Sequence, residues 1–217
     1  MNVRRFKSIL WTAIILSALT ACKSSVLKPI YAINLPLLEN FVSDGNPEEW
    51  EKIESYRLWT DPIGGYTDPS DLTVFMKAAR NHNHLLLMLD VSDENYLIDT
   101  LNPWNGDAIE VFLSPFRGSE DILQISIIPS PENDFVRIDD HSKDKVFADY
   151  SGEIKSFTRI EGKKRTTEVE IGLLPKAFIG GIDNSLALQV YVDDADTGSL
   201  EKNQLVWYPG GQSFNSS

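Results

Sequence analysis

The chain of 217 residues contains a single cysteine, Cys22. An intramolecular disulfide is therefore excluded, and so is a catalytic thiol anywhere else. Histidine is scarce as well, at three residues, with no spacing that would complete a metal-ligand set. There is no G-x-S-x-G elbow, the turn that presents a nucleophilic serine in many hydrolases. Beyond the N-terminal stretch, no segment repeats apolar residues at i, i+3, i+4 and i+7 over three turns, so long amphipathic helices are not expected. Internal repeats and low-complexity tracts are missing too. Basic charge is outweighed: 20 Lys and Arg face 32 Asp and Glu, a formal net charge of −12. A field of that sign disfavours nucleic acids, anionic lipid surfaces and acidic polysaccharides, and leaves neutral ligands or cations as the natural partners.

What is present begins with MNVRRFKSILWTAIILSALTAC. Three cations (Arg4, Arg5, Lys7) precede an apolar stretch from Ile9 to Leu19. That stretch is short for a membrane span and has the layout of a secretory signal. Its ending, Leu19-Thr20-Ala21-Cys22, resembles the lipobox of bacterial lipoproteins. The resemblance implies cleavage before Cys22, lipidation of its sulfur and anchoring of the chain to the cell envelope. Lys23 stands where an inner-membrane retention signal would usually place Asp, which points to the outer membrane. Residues 1–21 are thus expected to be signal, 22–36 a lipidated tether and 37–217 one folded domain. Loss of three cations and no acids would change the net charge to −12 − 3 = −15.

The domain reads as strands. LTVFMKAA (72–79) and HLLLMLDV (84–91) flank the polar turn Arg80-Asn81-His82-Asn83, a hairpin pattern. Further candidates are 108–115, 122–129, 145–150, 153–160, 165–173, 185–192 and 204–208. Each is short, β-branched or aromatic, and bounded by Gly, Pro, Asn or Asp. Two short helical turns are expected at 47–53 and 173–179. Many strands at this spacing, with no helices between them, predict an all-β fold: an antiparallel β-sandwich of immunoglobulin-like or jelly-roll type.

NPWNGDAIEVFLSP (102–115) sets an indole, Trp104, in a polar loop just ahead of a strand that carries one carboxylate. Alternation sends Ile109, Val111 and Leu113 to one face and Ala108, Glu110 and Phe112 to the other. An ionised Glu110 on that second face must meet water, a cation or hydroxyl groups. An aromatic plate beside a carboxylate suits a sugar, whose C–H face stacks while adjacent hydroxyls donate to the acid. The bland alternative has Trp104 capping the sandwich end and Glu110 solvated. Asp107 and Glu110, three apart, should point to opposite faces rather than flank a bond, so catalysis is not expected.

Several segments, in order, resemble the family 9 carbohydrate-binding modules. FVSDGNPEEWEKI (41–53) matches a D-G-x-x-x-E-W opening, and HLLLMLDVSDENY (84–96) the strand that follows. PWNGDAIEVFLSP matches W-x-x-D-x-(V/I)-E-(I/V)-F, and ILQISIIPS (122–130) the Q-F-x-V-N strand. TTEVEIGLLPKAF (166–178) and LALQVYVDDADTG with LVW (186–198, 205–207) match the remaining blocks. The resemblance implies a non-catalytic sandwich that holds a sugar between two aromatic rings. Trp104 falls at the first ring, Glu110 at the acidic position, and Phe214 at the second ring with Gln212 beside it. Phe214 stands where a Trp is usual, and Ser126 where an Arg is usual on the Q-F strand. Arg137, in FVRIDD, is the nearest cation that could replace it. Trp207 is a further candidate contact, and Trp50 a packing anchor.

Asp193, Asp194 and Asp196 in VDDADTG crowd three carboxylates into one turn. That is a candidate calcium site if carbonyls complete an oxygen shell, or else an Asp-rich turn bonding its own backbone. Asp194-x-Asp196-x-Gly198 imitates an EF-hand start, but Leu205 falls at position twelve. No other cofactor is expected. The functional expectation is binding of a neutral carbohydrate by an outer-surface lipoprotein. The alternative is a sandwich that has lost sugar binding and serves as a structural or protein-interaction module with an envelope protein partner. A third option, a haem sandwich, would need Met88 and His141 as axial ligands.

Overall fold

In a computed structural model of the protein, residues 32–60, 68–99, 101, 105–116, 118–143, 147, 150, 153–173, 186–196 and 203–207 are described. The chain divides into two compact units, Met1–Ile33 and Asn34–Ser217. All described strands belong to the second: β1 (Ser55–Arg57), β2 (Trp59–Thr60), β3 (Leu72–Arg80), β4 (His84–Asp93), β5 (Ala108–Ser114), β6 (Leu123–Ile128), β7 (Phe135–Asp140), β8 (Ile154–Glu161), β9 (Lys164–Gly172), β10 (Ala187–Asp194) and β11 (Asn203–Val206). They form two antiparallel sheets, ordered β1-β3-β4-β9-β8 and β2-β11-β10-β5-β6-β7. The expected β-sandwich is what the chain forms.

The β3–β4 hairpin pairs Leu72 with Asp93 through Arg80 with Leu85. Asn81 closes its turn by accepting from the Asn83 and His84 amides through Oδ1. β4 explains its own composition. Five consecutive residues, Leu85 to Leu89, are buried, because both faces of the strand are covered. Leu85, Leu87 and Leu89 face the opposing sheet. Leu86 and Met88 meet Trp50, Ala79 and the N-terminal residues Leu38, Phe41 and Ile53. A strand covered on both sides reads as a continuous apolar run rather than an alternation.

The N-terminal cover is held by one buried acid. Glu168, on β9, is fully buried. Its Oε1 accepts from the Trp50 indole at 2.8 Å, and its Oε2 from the Gly45 and Asp44 amides at 2.7 and 2.9 Å. Gly45 adopts φ +74°, and a Cβ there would meet the Arg159 Cβ at 2.8 Å and the Phe157 ring at 3.0 Å. Glycine is required on both counts. Trp50 is therefore the packing anchor expected of it, and it ends a short 3-10 turn, Pro47–Trp50, capped by the Asn46 side chain.

Two differences from the sequence expectations stand out. Strand β7 and the short β1 and β2 were not anticipated, since their mixed polarity reflects exposed edge positions. Within 145–150, Phe147 lies in a turn whose carbonyl accepts from the Tyr150 amide at 2.8 Å, not in a strand. The second expected helical turn, at 173–179, lies outside the described residues except for Leu173.

Candidate functional site

The six-stranded sheet has one face toward the core and one facing away. Ile109, Val111 and Leu113 are buried inward, which turns Ala108, Glu110 and Phe112 outward, as alternation predicts. Pairing then fixes their neighbours. Across β5, Glu110 lies opposite Tyr191 on β10 and Ser126 on β6, and Ser126 lies opposite Arg137 on β7. Val206 opposes Tyr191, and Trp59 opposes Val206. One lateral row on the outer face thus reads Trp59, Val206, Tyr191, Glu110, Ser126, Arg137. At its near end Phe112, Tyr191 and Val206 form a buried apolar cluster, and Trp59 is 51% exposed.

Around Glu110 this face dips into a partly open cavity of about 180 Å³, lined also by Ala108, Gln124, Ser126, Arg137, Asp139, His141 and Asp193. That volume is below the roughly 300–1,000 Å³ of pockets for drug-sized ligands and suits a single small ring. Gln124 donates its amide to Glu110 Oε1 at 2.8 Å. Its Oε1 lies 2.6 Å from His141 Nε2. An amide oxygen only accepts, so His141 carries its proton on Nε2. Arg137 grips Asp139 through both Nε and a terminal nitrogen, at 2.8 and 2.9 Å. The cavity therefore presents carboxylates from three strands and one guanidinium already paired with one of them. Such a surface offers mainly acceptors, which hydroxyl groups can satisfy without bringing in a charge.

The sequence-predicted residues fare unequally. Glu110 lines the cavity. Trp104, Gln212, Phe214 and Cys22 lie outside the described residues. Trp207 is corrected: it is 9% exposed, its amide donates to the Val190 carbonyl, and its ring packs edge-to-face on Tyr56 of the opposite sheet at 4.9 Å. It points between the sheets, not toward a ligand on the outer face. Arg137, in contrast, stands directly beside Ser126 in the same cavity. Gln124, Asp139 and His141 were missed. The only signal for Asp139 was its place two residues after Arg137, with which it shares a face. Met88, on β4, lies beneath Trp50, whereas His141, just past β7 of the other sheet, lies beside Gln124, so they do not form a haem pair.

A second polar group lies at one end of the sandwich. Arg165, 4% exposed, bridges Asp93 and, at 2.9 Å, Asp107, and stacks on the Tyr96 ring at 4.0 Å. Asp107 also accepts from the Ala195 amide at 2.9 Å. Burial raises the Asp93 carboxyl above the usual carboxylate range, against the pull of Arg165. The expected Asp193, Asp194, Asp196 set is corrected here. Successive strand residues face opposite ways, so Asp193 turns outward to the cavity, bonded to Gln204 at 2.6 Å, while Asp194 turns inward. Asp71 takes the place of Asp193: oxygens of Asp71, Asp194 and Asp196 lie within 4.8 Å of one another, as do those of Asp93, Asp107 and Asp194. Burial pushes Asp194 up to about 7, helped by Asp196, Asp107 and Asp71, with Asn203 offsetting a little.

Comparison with known proteins agrees with this architecture. No curated protein matches the chain. Among solved structures, a family 9 carbohydrate-binding module from Caldicellulosiruptor kristjanssonii in complex with glucose superposes with a TM-score of 0.61 at 17% identity, over 81% of this chain and 85% of that one. A module of the same family and organism in complex with cellotriose gives 0.56 at 18%, over 85% and 94%. A protein from Bacteroides uniformis, assigned by its name to carbohydrate binding, gives 0.53 at 16%, over 83% and 90%. At these identities the likeness is one of fold. The model of the carbohydrate family 9 binding domain-like family matches residues 44–216, and the chain belongs to that family.

Proposed function

We propose that the domain binds a neutral carbohydrate, without catalysis, at the outer face of the six-stranded sheet. Glu110 is the chief acceptor, Gln124 and His141 hold it in place, and Trp104 and Phe214 supply the stacking rings. The observation that carries this is the half-buried Glu110, fixed by Gln124 in a ring-sized cavity of acceptors. Glucose and cellotriose are bound by structural relatives, which makes β-glucans the first ligands to try. The excess of carboxylates in the cavity disfavours uronic acids. The setting is an envelope lipoprotein, lipidated on Cys22 and facing outward from the outer membrane.

Calorimetric titration with glucose, cello-, xylo- and manno-oligosaccharides tests the ligand. Binding should weaken about tenfold in Glu110→Gln, the loss of roughly one hydrogen bond to a charged acceptor, and vanish in Trp104→Ala. A folded sample indifferent to all of these sugars overturns the proposal. The competing role in protein interaction is favoured by edge strand β7, which exposes Phe135 and Ile138 at 42% and 43%. Retention of an envelope protein that is lost on Phe135→Ser would support that role. Metabolic labelling with a fatty acid, lost on Cys22→Ala, tests the anchor.

A further inference from the structure

Ile138 is oddly placed for an isoleucine. It lies opposite Ile125 on β6, and residues opposite each other in a strand pair share a face. Ile125 is fully buried in the core, so Ile138 points the same way, yet it is 43% exposed. An inward isoleucine left open means that the sandwich is not closed along β7. Among the described strands β7 pairs only with β6, which leaves its other side as a sheet edge. Such edges are commonly blunted by shortness, lysine, proline or a bulge. β1 and β2 are short, with three and two residues, and β8 carries Lys155. β7 runs for six residues, FVRIDD, with no lysine or proline.

We propose that β7 is a homodimer interface, paired antiparallel with β7 of a second copy of this chain. Charge order selects that occupant. A two-fold axis normal to the sheet needs one residue to face its own copy, so each register is defined by that residue. Centring on Arg137, Asp139 or Asp140 sets like charges face to face, which is destabilising. Centring on Phe135 or Val136 pairs no more than half of the strand. Centring on Ile138 sets Arg137 opposite the partner's Asp139 on both sides of the axis. Ile138 then covers its own copy, and Phe135 meets the partner's His141 on the outer face. Val136 meets the partner's Asp140 at the margin; within each chain that acid accepts from the Ser142 amide at 2.8 Å. Arg137 already grips Asp139 of its own chain at 2.8 Å, so pairing builds an alternating ring of four charges. Such a network counts for more than an isolated exposed pair. Pairing also continues the six-stranded sheet into its copy, with both Glu110 cavities on one face. Glu110 lies on β5, two strands in from β7. Five strand spacings of about 4.8 Å, about 24 Å in all, would separate the two cavities. The dimer does not depend on the sugar reading.

Purified full chain should be followed by analytical ultracentrifugation from about 1 to about 500 μM, the range in which small interfaces assemble. A monomer–dimer equilibrium is expected. Ile138→Lys sets two cations on the axis and should raise the dissociation constant about tenfold or more. Arg137→Asp and Asp139→Arg should each do the same, whereas the double swap Arg137→Asp/Asp139→Arg should restore the wild-type dimer. Oxidation reads the register. Ile138→Cys should form a disulfide with its own copy, since opposite Cα atoms lie about 4.5–5.5 Å apart and a disulfide spans about 4.4–6.8 Å. Arg137→Cys, whose copies sit diagonally at about 7–8 Å or more, should not. Mass spectrometry locates the link and separates it from any through Cys22. A chain that stays monomeric at every concentration would overturn the proposal. So would a dimer indifferent to Ile138→Lys and Arg137→Asp, or a monomer that captures another protein on β7 instead. If Ile138→Lys fails to fold, the charge swap decides the matter.

Discussion

Removing the acid that fastens the N-terminal cover gives the sharpest test of how this sandwich is held together. Glu168 accepts three hydrogen bonds inside the protein, one from the Trp50 indole and two from the Asp44 and Gly45 amides. In Glu168→Gln one oxygen becomes a donor. The better rotamer keeps the two backbone bonds and turns the new NH2 toward the indole N–H. One charge-assisted bond, worth roughly 1.5–3 kcal/mol, is lost, and a buried indole N–H is left unpaired at about 1–3 kcal/mol. Against this stands the relief of burying a neutral amide in place of a carboxylate. The net loss should be about 2–4 kcal/mol. For a domain of this size that is a fall in melting temperature of roughly 4–16 °C. Urea melts followed by circular dichroism give the free energy, and Trp50 emission should shift toward that of a solvated indole. In a double-mutant cycle with Trp50→Phe, the two losses should not add, because they share one bond. A Glu168→Gln protein within about 0.5 kcal/mol of wild type, the usual range of surface substitutions, would refute the reasoning.

Three further outcomes follow from the same structure. Arg165→Met should cost about 3–5 kcal/mol in urea melts, because it leaves Asp93 and Asp107 buried without their cation; a loss under 1 kcal/mol would mean that water reaches both acids. Trp207→Ala should lower stability by about 3–5 kcal/mol by emptying the space against Tyr56, and any residual folded protein should bind sugar with wild-type Kd; a selective loss of affinity without destabilisation would return Trp207 to the ligand face. Burial raises the Glu168 pKa above its ordinary value of 4.5, so the folded protein holds that proton to higher pH than the unfolded chain. Stability from this group is then greatest below about 4.5 and falls as pH rises through the native pKa. The gap between wild type and Glu168→Gln should accordingly narrow from acid to neutral pH in parallel denaturant melts, and a gap that widens would contradict the shift.

Much of this protein was determined by its sequence because strands announce themselves locally. Alternation and turn residues located β3 to β6 and β8 to β11, and placed Glu110 opposite Ile109 and Val111, since the pleat period of two is a property of the chain alone. Which of two faces looks inward was another matter. Leu205 and Trp207 share one face of β11 and Val206 takes the other, and both faces are apolar, so only the sheet packed against Tyr56 decided that Trp207 turns to the core. The acids show the same division. Asp193, Asp194 and Asp196 are neighbours in sequence, yet the pleat separates Asp193 from Asp194, and the chain brings Asp71, Asp93 and Asp107 from distant positions to meet the latter. Glu168 was one glutamate in an alternating strand until the fold carried the amides of Asp44 and Gly45 and the Trp50 indole to it across 118 to 124 residues. Local periodicity sets where a side chain can point. What it meets there depends on long-range strand pairing, and that is settled only when the two sheets close.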